Sequence, residues 1–258
     1  MSLASRRRFS EVVAASMVSL ACGCVHPAER PTVVVAGSGD AHVLPARFEV
    51  VCWNVHKNAD PAAALLGLAP DADLVLLQES ASVTGGPPGY AMMVVAFRRA
   101  RDGRPAGVKT VTGVAPTSTT ALLSDTREPL VRTPKSALVS TVPLAPGGSL
   151  LVANVHGVNF RNARALAGQL EELDPLLREH TGPIIVAGDF NTWSRARHDA
   201  LVDFAQQHGL ESVFVGADAP RLDAVLFRGL HPEDSSVIPS KASDHDVLRV
   251  RFSVREAS

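Results

Sequence analysis

Five strand-length apolar runs, each bounded by polar residues with chemical capacity, constrain this chain more than any other feature. Phe48–Trp53 ends on Asn54, Asp73–Leu77 on Gln78-Glu79, and Ser149–Val155 on His156. Pro183–Ala187 leads to Asp189 and Asn191, and Val247–Val254 follows Asp244-His245. All five read as strands, Asp73–Leu77 and Pro183–Ala187 as buried ones. Helical stretches lie between them. Asp60–Leu68 has Asp60 as N-cap and Pro61 at the first helical position. Asn162–Arg178 repeats Leu166, Leu170, Leu173 and Leu177 at helical spacing, and Arg195–His208 is a third helix. Tyr90–Phe97 and Gly107–Thr112 form a hairpin around Asp102-Gly103-Arg104-Pro105, and Ser136–Val142 joins Ser149–Val155 through Pro146-Gly147-Gly148. Arg221–Phe227 and Val247–Val254 are the last strands. With no internal repeat and no interior linker, one α/β domain over 46–258 is expected.

Composition narrows the class. At 258 residues, 46% hydrophobic and 20% charged, with mean hydropathy +0.12, the chain has material for a large core and is not broadly disordered. No apolar run reaches bilayer-spanning length, which excludes a polytopic membrane protein. Three arginines and one glutamate give residues 1–24 a net +2, so the remainder carries −3, unlike a bulk nucleic-acid coat protein. The three cysteines, Cys22, Cys24 and Cys52, allow no disulfide framework in the body and no zinc spacing.

Residues 1–24 read as a signal peptide: Arg6-Arg7-Arg8, an apolar stretch from Val12 to Ala21, then Ala21-Cys22-Gly23-Cys24. Ser5-Arg6-Arg7-Arg8-Phe9 resembles a twin-arginine export motif. The cysteine after Gly23 resembles a lipobox, making Cys24 the candidate lipidation residue and Cys22 a second one. Residues 25–45, rich in Pro, Gly and Ala, read as a flexible tether. The expectation is export to the cell envelope, with a lipid anchor to the membrane.

Strand ends that converge on one side of a rigid sheet are where α/β proteins build sites. Taken singly, Asn54 could be a cap, Glu79 a solvated loop acid and His156 a core histidine. Asp223, inside the apolar run Leu222–Phe227, needs a partner to stay ionised. Taken together, Cys52-Trp53-Asn54, Leu77-Gln78-Glu79, Asn154-Val155-His156, Gly188-Asp189-Phe190-Asn191-Thr192, Leu222-Asp223 and Ser243-Asp244-His245 resemble the endonuclease/exonuclease/phosphatase superfamily, the DNase I-like fold. They occur in that family's order, over about 48–252. The longer stretches Gly188–Ser194 with Arg197, and Leu222–Leu230, look like a bacterial branch that names no substrate.

The resemblance implies a four-layer sandwich, two packed mixed β-sheets flanked by helices, and hydrolysis of a phosphate ester with a divalent metal. An anionic ester with a poor leaving oxygen calls for a hard cation on oxygen ligands. It implies Asn54, Glu79 and Asp244 as metal residues, with Mg²⁺ and Mn²⁺ as its substitute. It implies Asp189 orienting or activating the attacking water, and Asn191 and Asn159 on phosphate oxygens. It further implies His245 on the phosphate or as base with Asp223 fixing its tautomer, and His156 stabilising the transition state or protonating the leaving group. The substrate is a phosphate ester, whether nucleic acid, phospholipid or small molecule, and a monomer is expected.

The chain departs from some branches of that family. His56 stands where several nucleases carry an acid, and His156 where some carry tyrosine. Arg98, Arg99, Arg101, Arg104 and Lys109 read as a solvated turn before a phosphate contact, with no interleaved aromatics for stacking single strands. The alternative class is a non-catalytic envelope binding protein on the same fold; every catalytic-type position being occupied by a competent residue weighs against it.

Overall fold

The computed structural model describes residues 25–56, 62–84, 89–213 and 222–255. Its elements run β1 Val25–Pro27, β2 Val33–Ala36, β3 Arg47–Asn54, α1 Ala62–Leu68, β4 Leu74–Ser80, β5 Tyr90–Arg99, β6 Pro105–Thr112 and β7 Ser118–Leu123. Then come β8 Ser136–Pro143, β9 Ser149–His156, α2 Ala163–Glu171, α3 Asp174–Glu179, β10 Ile184–Asp189, α4 Arg195–Gln207, β11 Glu211–Val213, β12 Asp223–Arg228, β13 Leu230–Ile238 and β14 Val247–Val254.

Two mixed sheets form. One has the order β1-β5-β6-β4-β3-β14-β13, with β2 also on β5; the other is β11-β12-β10-β9-β8-β7. The period-two geometry of a strand explains the layers. On β3, Val50 and Cys52 point into a core shared by both sheets, while Val51 and Trp53 point outward against Leu65 and Ala69 at α1. On β10, Ile185 and Ala187 point inward, while Ile184 and Val186 meet Leu166, Leu170 and Leu177 of α2 and α3 and Leu201 of α4. Both faces are covered, so these strands carry apolar runs instead of alternation. The result is helix, sheet, sheet, helix: the four-layer DNase I-like sandwich.

Three expectations change. Residues 25–45 are docked instead of forming a tether: β1 pairs with Phe97–Arg99, β2 with Ala91–Val94, and Leu44 is buried in the shared core. The helix expected over 162–178 breaks between α2 and α3, where Pro175 enters at the start of α3 and cannot supply a helical N–H. Its leucines still form one buried face, and Asn162 caps α2 by accepting from Ala165 N at 3.1 Å. Lys109, expected at a solvated turn, is fully buried on β6. The leader with Cys24, and Asp60 and Pro61, lie outside the described residues.

Candidate active site

Strand register alone gathers half the site. Asp189, last residue of β10, stands opposite His156 on β9 and opposite Asp223 on β12, so three chemical side chains share one row at the end of the second sheet. Gly188 makes this possible: with φ +153°, a Cβ there would lie 1.8 Å from the Val155 carbonyl oxygen, so only glycine lets β9 and β10 approach this closely. Asn54 and Gln78 are register partners at the corresponding end of the first sheet.

The two sheet ends are tied through the buried interior. Gln78 Nε2 donates to Asn154 Oδ1 at 2.8 Å, and Asn154 Nδ2 donates to the Lys109 carbonyl at 2.9 Å. Both side chains are fully buried. The residues just beyond them, Glu79 and His156, are thereby held on facing sides of one cleft of about 610 Å³.

Asn54, Glu79, His156, Asn159, Asp189, Asn191, Asp244 and His245 all line this cleft. Asp223 lies behind His245 and accepts from its Nδ1 at 2.7 Å, so His245 turns Nε2 toward Asp189 Oδ2, 3.9 Å away. Trp53 Nε1 donates to the His245 carbonyl at 3.0 Å and fixes the backbone there. Both oxygens of Asp189 are held: Asn54 Nδ2 donates to Oδ2 and the Asn191 N–H to Oδ1, each at 2.9 Å. His156 Nε2 is 3.5 Å from Asp189 Oδ2. Asp244 is more exposed and pairs with His56 at 3.2 Å.

The electrostatics follow from burial. Asp189 is pushed up to about 7, first by desolvation and then by the Asp223 charge, against the opposing pull of His245 and its two hydrogen bonds. Asp223 is also raised by burial, which outweighs its bond to His245. Burial by itself would lower His245, but the hydrogen bond and charge of Asp223, with Asp189 and Asp244, raise it to about 9. Two carboxylates directly opposite on neighbouring strands repel, and the imidazolium between them offsets that repulsion.

Lys135 was not legible as a site residue. It starts the β8 region, is buried, and donates from Nζ toward His156 Nε2 at 3.1 Å, with Glu128 at 3.2 Å and Glu79 at 4.0 Å. An ammonium only donates, so His156 Nε2 accepts here. The usable signal was a lysine at the head of an apolar run in a chain that holds four lysines. Arg197 was also missed as an organiser. Its buried guanidinium donates to the carbonyls of Asn191 at 2.7 Å, Val158 at 2.5 Å and Arg161 at 2.9 Å, binding the loop that carries Asn159 to the loop that carries Asn191. Of the arginine run, Arg99 lines the cleft and is paired with Asp102.

Backbone strain is concentrated here. Six non-glycine residues among those described have left-handed φ: His56, Glu79, Leu130, Arg132, Phe160 and Asn191. All six line the cleft or adjoin a residue that does. Each costs about 1 kcal/mol or more and persists only where the surrounding structure holds it.

A sequence profile of the endonuclease/exonuclease/phosphatase family matches residues 51–245, spanning the row of strand ends just described. The chain belongs to this family. It is 36% identical over 252 residues to a UPF0294 protein of Klebsiella pneumoniae (strain 342), covering 88% of this chain and 93% of that one. The human Nocturnin catalytic domain with bound sulfate superposes with TM-score 0.61 at 16% identity, over 89% of this chain and all of that one (100%). A family protein from Leptotrichia buccalis superposes with TM-score 0.60 at 16% identity, over 80% and 99%. These likenesses establish the fold. Members of the family are usually phosphoester hydrolases and typically use a divalent metal.

The donor chemistry fits such a cation. Asn54, Glu79 and Asp244 offer oxygen donors from separate elements around one cleft, as a hard ion requires. The Asn54 amide oxygen accepts the His56 N–H at 3.0 Å and has a second lone pair. Asp189, Asp223 and His245 form a tighter group, their ligand atoms within 4.8 Å of one another. The 2.7 Å bond inside that trio already engages Asp223 and the His245 Nδ1, so the Asn54, Glu79 and Asp244 set suits the metal better.

Proposed function

We propose that this protein is a divalent-metal-dependent phosphoesterase. The observation that carries the reading is the row of His156, Asp189 and Asp223 across three strands, completed by His245 and faced by Asn54 and Glu79 in one cleft. Asn54, Glu79 and Asp244 would hold Mg²⁺ or Mn²⁺, which when bound supplies charge stabilisation to the phosphate and its leaving oxygen.

The remaining residues divide the work. Asp189, with both oxygens fixed, presents a carboxylate to the attacking water and holds it in line. His245 is oriented by Asp223 and directs Nε2 at a non-bridging phosphate oxygen. Asn159 and Asn191 contribute amide groups at the same cleft, and Lys135, positioned by the His156 Nε2 that accepts from it, supplies an ammonium donor toward the leaving group.

The test is a panel of soluble phosphodiesters and phosphomonoesters, among them bis(p-nitrophenyl) phosphate, with Mg²⁺ and then with chelator. Turnover that chelator abolishes and Glu79→Gln removes is expected. A folded protein that turns over no phosphate ester would return the reading to a binding module. The Met1–Cys24 sequence supports export with a lipid-tethered N-terminus, which mass spectrometry of the native mature chain tests: an unmodified N-terminus at Met1 would remove it.

A further inference from the structure

We propose that the mouth of this cleft is a membrane-docking surface, so that the phosphate ester acted on is one displayed at a lipid bilayer. This rests on the phosphoesterase reading and adds the substrate's setting. Large exposed apolar side chains are few among the described residues, and three of the five lie at or beside the cleft: Phe160, 66% exposed, lines it, Leu130, 68% exposed, precedes the lining Val131, and Trp193, 51% exposed, is bonded to the lining Asn159.

They belong to one connected rim. Arg161 Nε donates to the Arg127 carbonyl at 2.8 Å, joining the 127–133 loop to the 157–162 loop. Trp193 Nε1 donates to Asn159 Oδ1 at 3.0 Å, and Asn159 precedes Phe160. The indole also lies 5.4 Å from the Arg197 guanidinium. The rim is held in this display at a cost: Leu130, Arg132 and Phe160 are three of the six left-handed non-glycine residues. Strain of that kind, repeated in two loops, keeps apolar tips outward when collapse onto the protein would bury them.

Charge fits the same partner. Arg132 and Arg161 are exposed on these loops, and Arg164 is exposed in the first turn of α2 that follows, in a chain whose overall net charge is −1. Apolar tips flanked by arginines match the bilayer interface, where rings and aliphatic tips enter the headgroup boundary and guanidinium groups meet lipid phosphates. A duplex reader would be uniformly polar and strongly basic, and an exposed aliphatic Leu130 has no role on a base.

The chain path agrees. Val25 lines the cleft, and β1, Val25–Pro27, runs along Phe97–Arg99 at its edge. The apolar stretch Val12–Ala21 and Cys24 precede Val25 by only a few residues. Any anchor there sets the membrane beside the cleft mouth and the apolar rim against it.

Trp193 allows a direct test. The other tryptophan, Trp53, is 0% exposed, so a change in emission on adding vesicles reports the rim. The full chain is mixed with phosphatidylcholine vesicles, with and without phosphatidylglycerol, and with vesicles carrying brominated acyl chains. Trp193 emission should shift to shorter wavelength, be quenched by bromine, and respond more strongly to the anionic vesicles. Leu130→Asp and Arg132→Glu should each weaken the titration about tenfold, or about 1.4 kcal/mol. Where the N-terminus also tethers the protein, sedimentation with vesicles persists in Leu130→Asp while quenching is lost, which supports the rim. Unquenched Trp193 in the wild-type protein, or quenching unaffected by both substitutions, overturns the proposal. So does a shift with oligonucleotides and none with vesicles. Turnover of the soluble phosphodiester and phosphomonoester panel separates the two readings: its absence throughout with intact quenching removes the enzyme reading alone, and its presence without quenching removes the docking surface alone.

Discussion

The middles of the strands and their ends follow opposite rules. Between the sheets, Val50, Cys52, Leu76, Val152, Ile185, Ala187, Val225 and Phe227 interlock in a dry core where each strand contributes every second residue. A few residues along, the same strands end in paired carboxylates and left-handed backbone at Glu79 and Asn191, beside the buried Lys135 that precedes β8. The middle is built from many small favourable contacts and the end from a few unfavourable ones. The rigid middle supplies the stability that lets Asp189 and Asp223 remain neighbours, which is the usual relation between a scaffold and the strained site it carries.

Breaking the end should cost activity and not stability. Asp189→Asn is expected to lower turnover by about a thousandfold or more, and to stabilise the chelated protein at pH 8 by about 2–4 kcal/mol, because it removes a carboxylate raised to about 7 by burial and by Asp223. Denaturant titration of both proteins checks the sign; a less stable variant would mean that the carboxylate supports the fold. Breaking the middle should do the reverse. Phe227→Ala, which empties a buried ring that packs on Phe252 with centroids 5.1 Å apart, should cost about 3–5 kcal/mol while leaving turnover per folded molecule near wild type.

Two smaller effects sharpen the contrast. In chelator, stability should decline from pH 6 to pH 9. Asp189 and His245 both bind their protons more tightly folded than unfolded, with folded values of about 7 and about 9. The carboxylate's contribution is lost as pH rises through 7, and the histidine's, complete below ~6.5, is lost as pH rises through 9. A flat or rising profile across that window would contradict the coupled trio. Asn154→Ala lies where middle meets end. It should cost about 1–3 kcal/mol by stranding the buried Gln78 amide, and lower turnover modestly through misplaced Glu79 and His156, read by comparing melting temperature with activity in the same preparation.

What was legible from sequence alone follows from burial. Strands covered on both faces must be near-continuous apolar runs, so β3, β4, β9 and β10 announced themselves, β14 showed as an apolar run alternating with Arg249, Arg251 and Ser253, and the polar residues closing or preceding them marked the site. That is why Asn54, Glu79, His156, Asp189, Asn191 and His245 could be named before any geometry, and why the family resemblance rested on them. The costly Asp223 in an apolar strand also pointed to a partner, and His245 is that partner at 2.7 Å.

Only the tertiary structure could decide the rest, because it depends on residues brought together from distant parts of the chain. Edge strands β1, β2, β7, β11 and β13 carry mostly exposed or half-exposed side chains, and except for the four-residue Val33–Ala36 they leave no apolar run to read. Their stability comes from pairing with a neighbour already in place. Lys135 acquires meaning only from His156, Glu79 and Glu128, and Arg197 only from carbonyls on two separate loops. Sequence periodicity records which faces are buried, and so it determined the layers and the strand ends. Which side chains meet across those ends is set by register and loop closure between segments up to 192 residues apart, as for Trp53 and His245, and no local pattern encodes it.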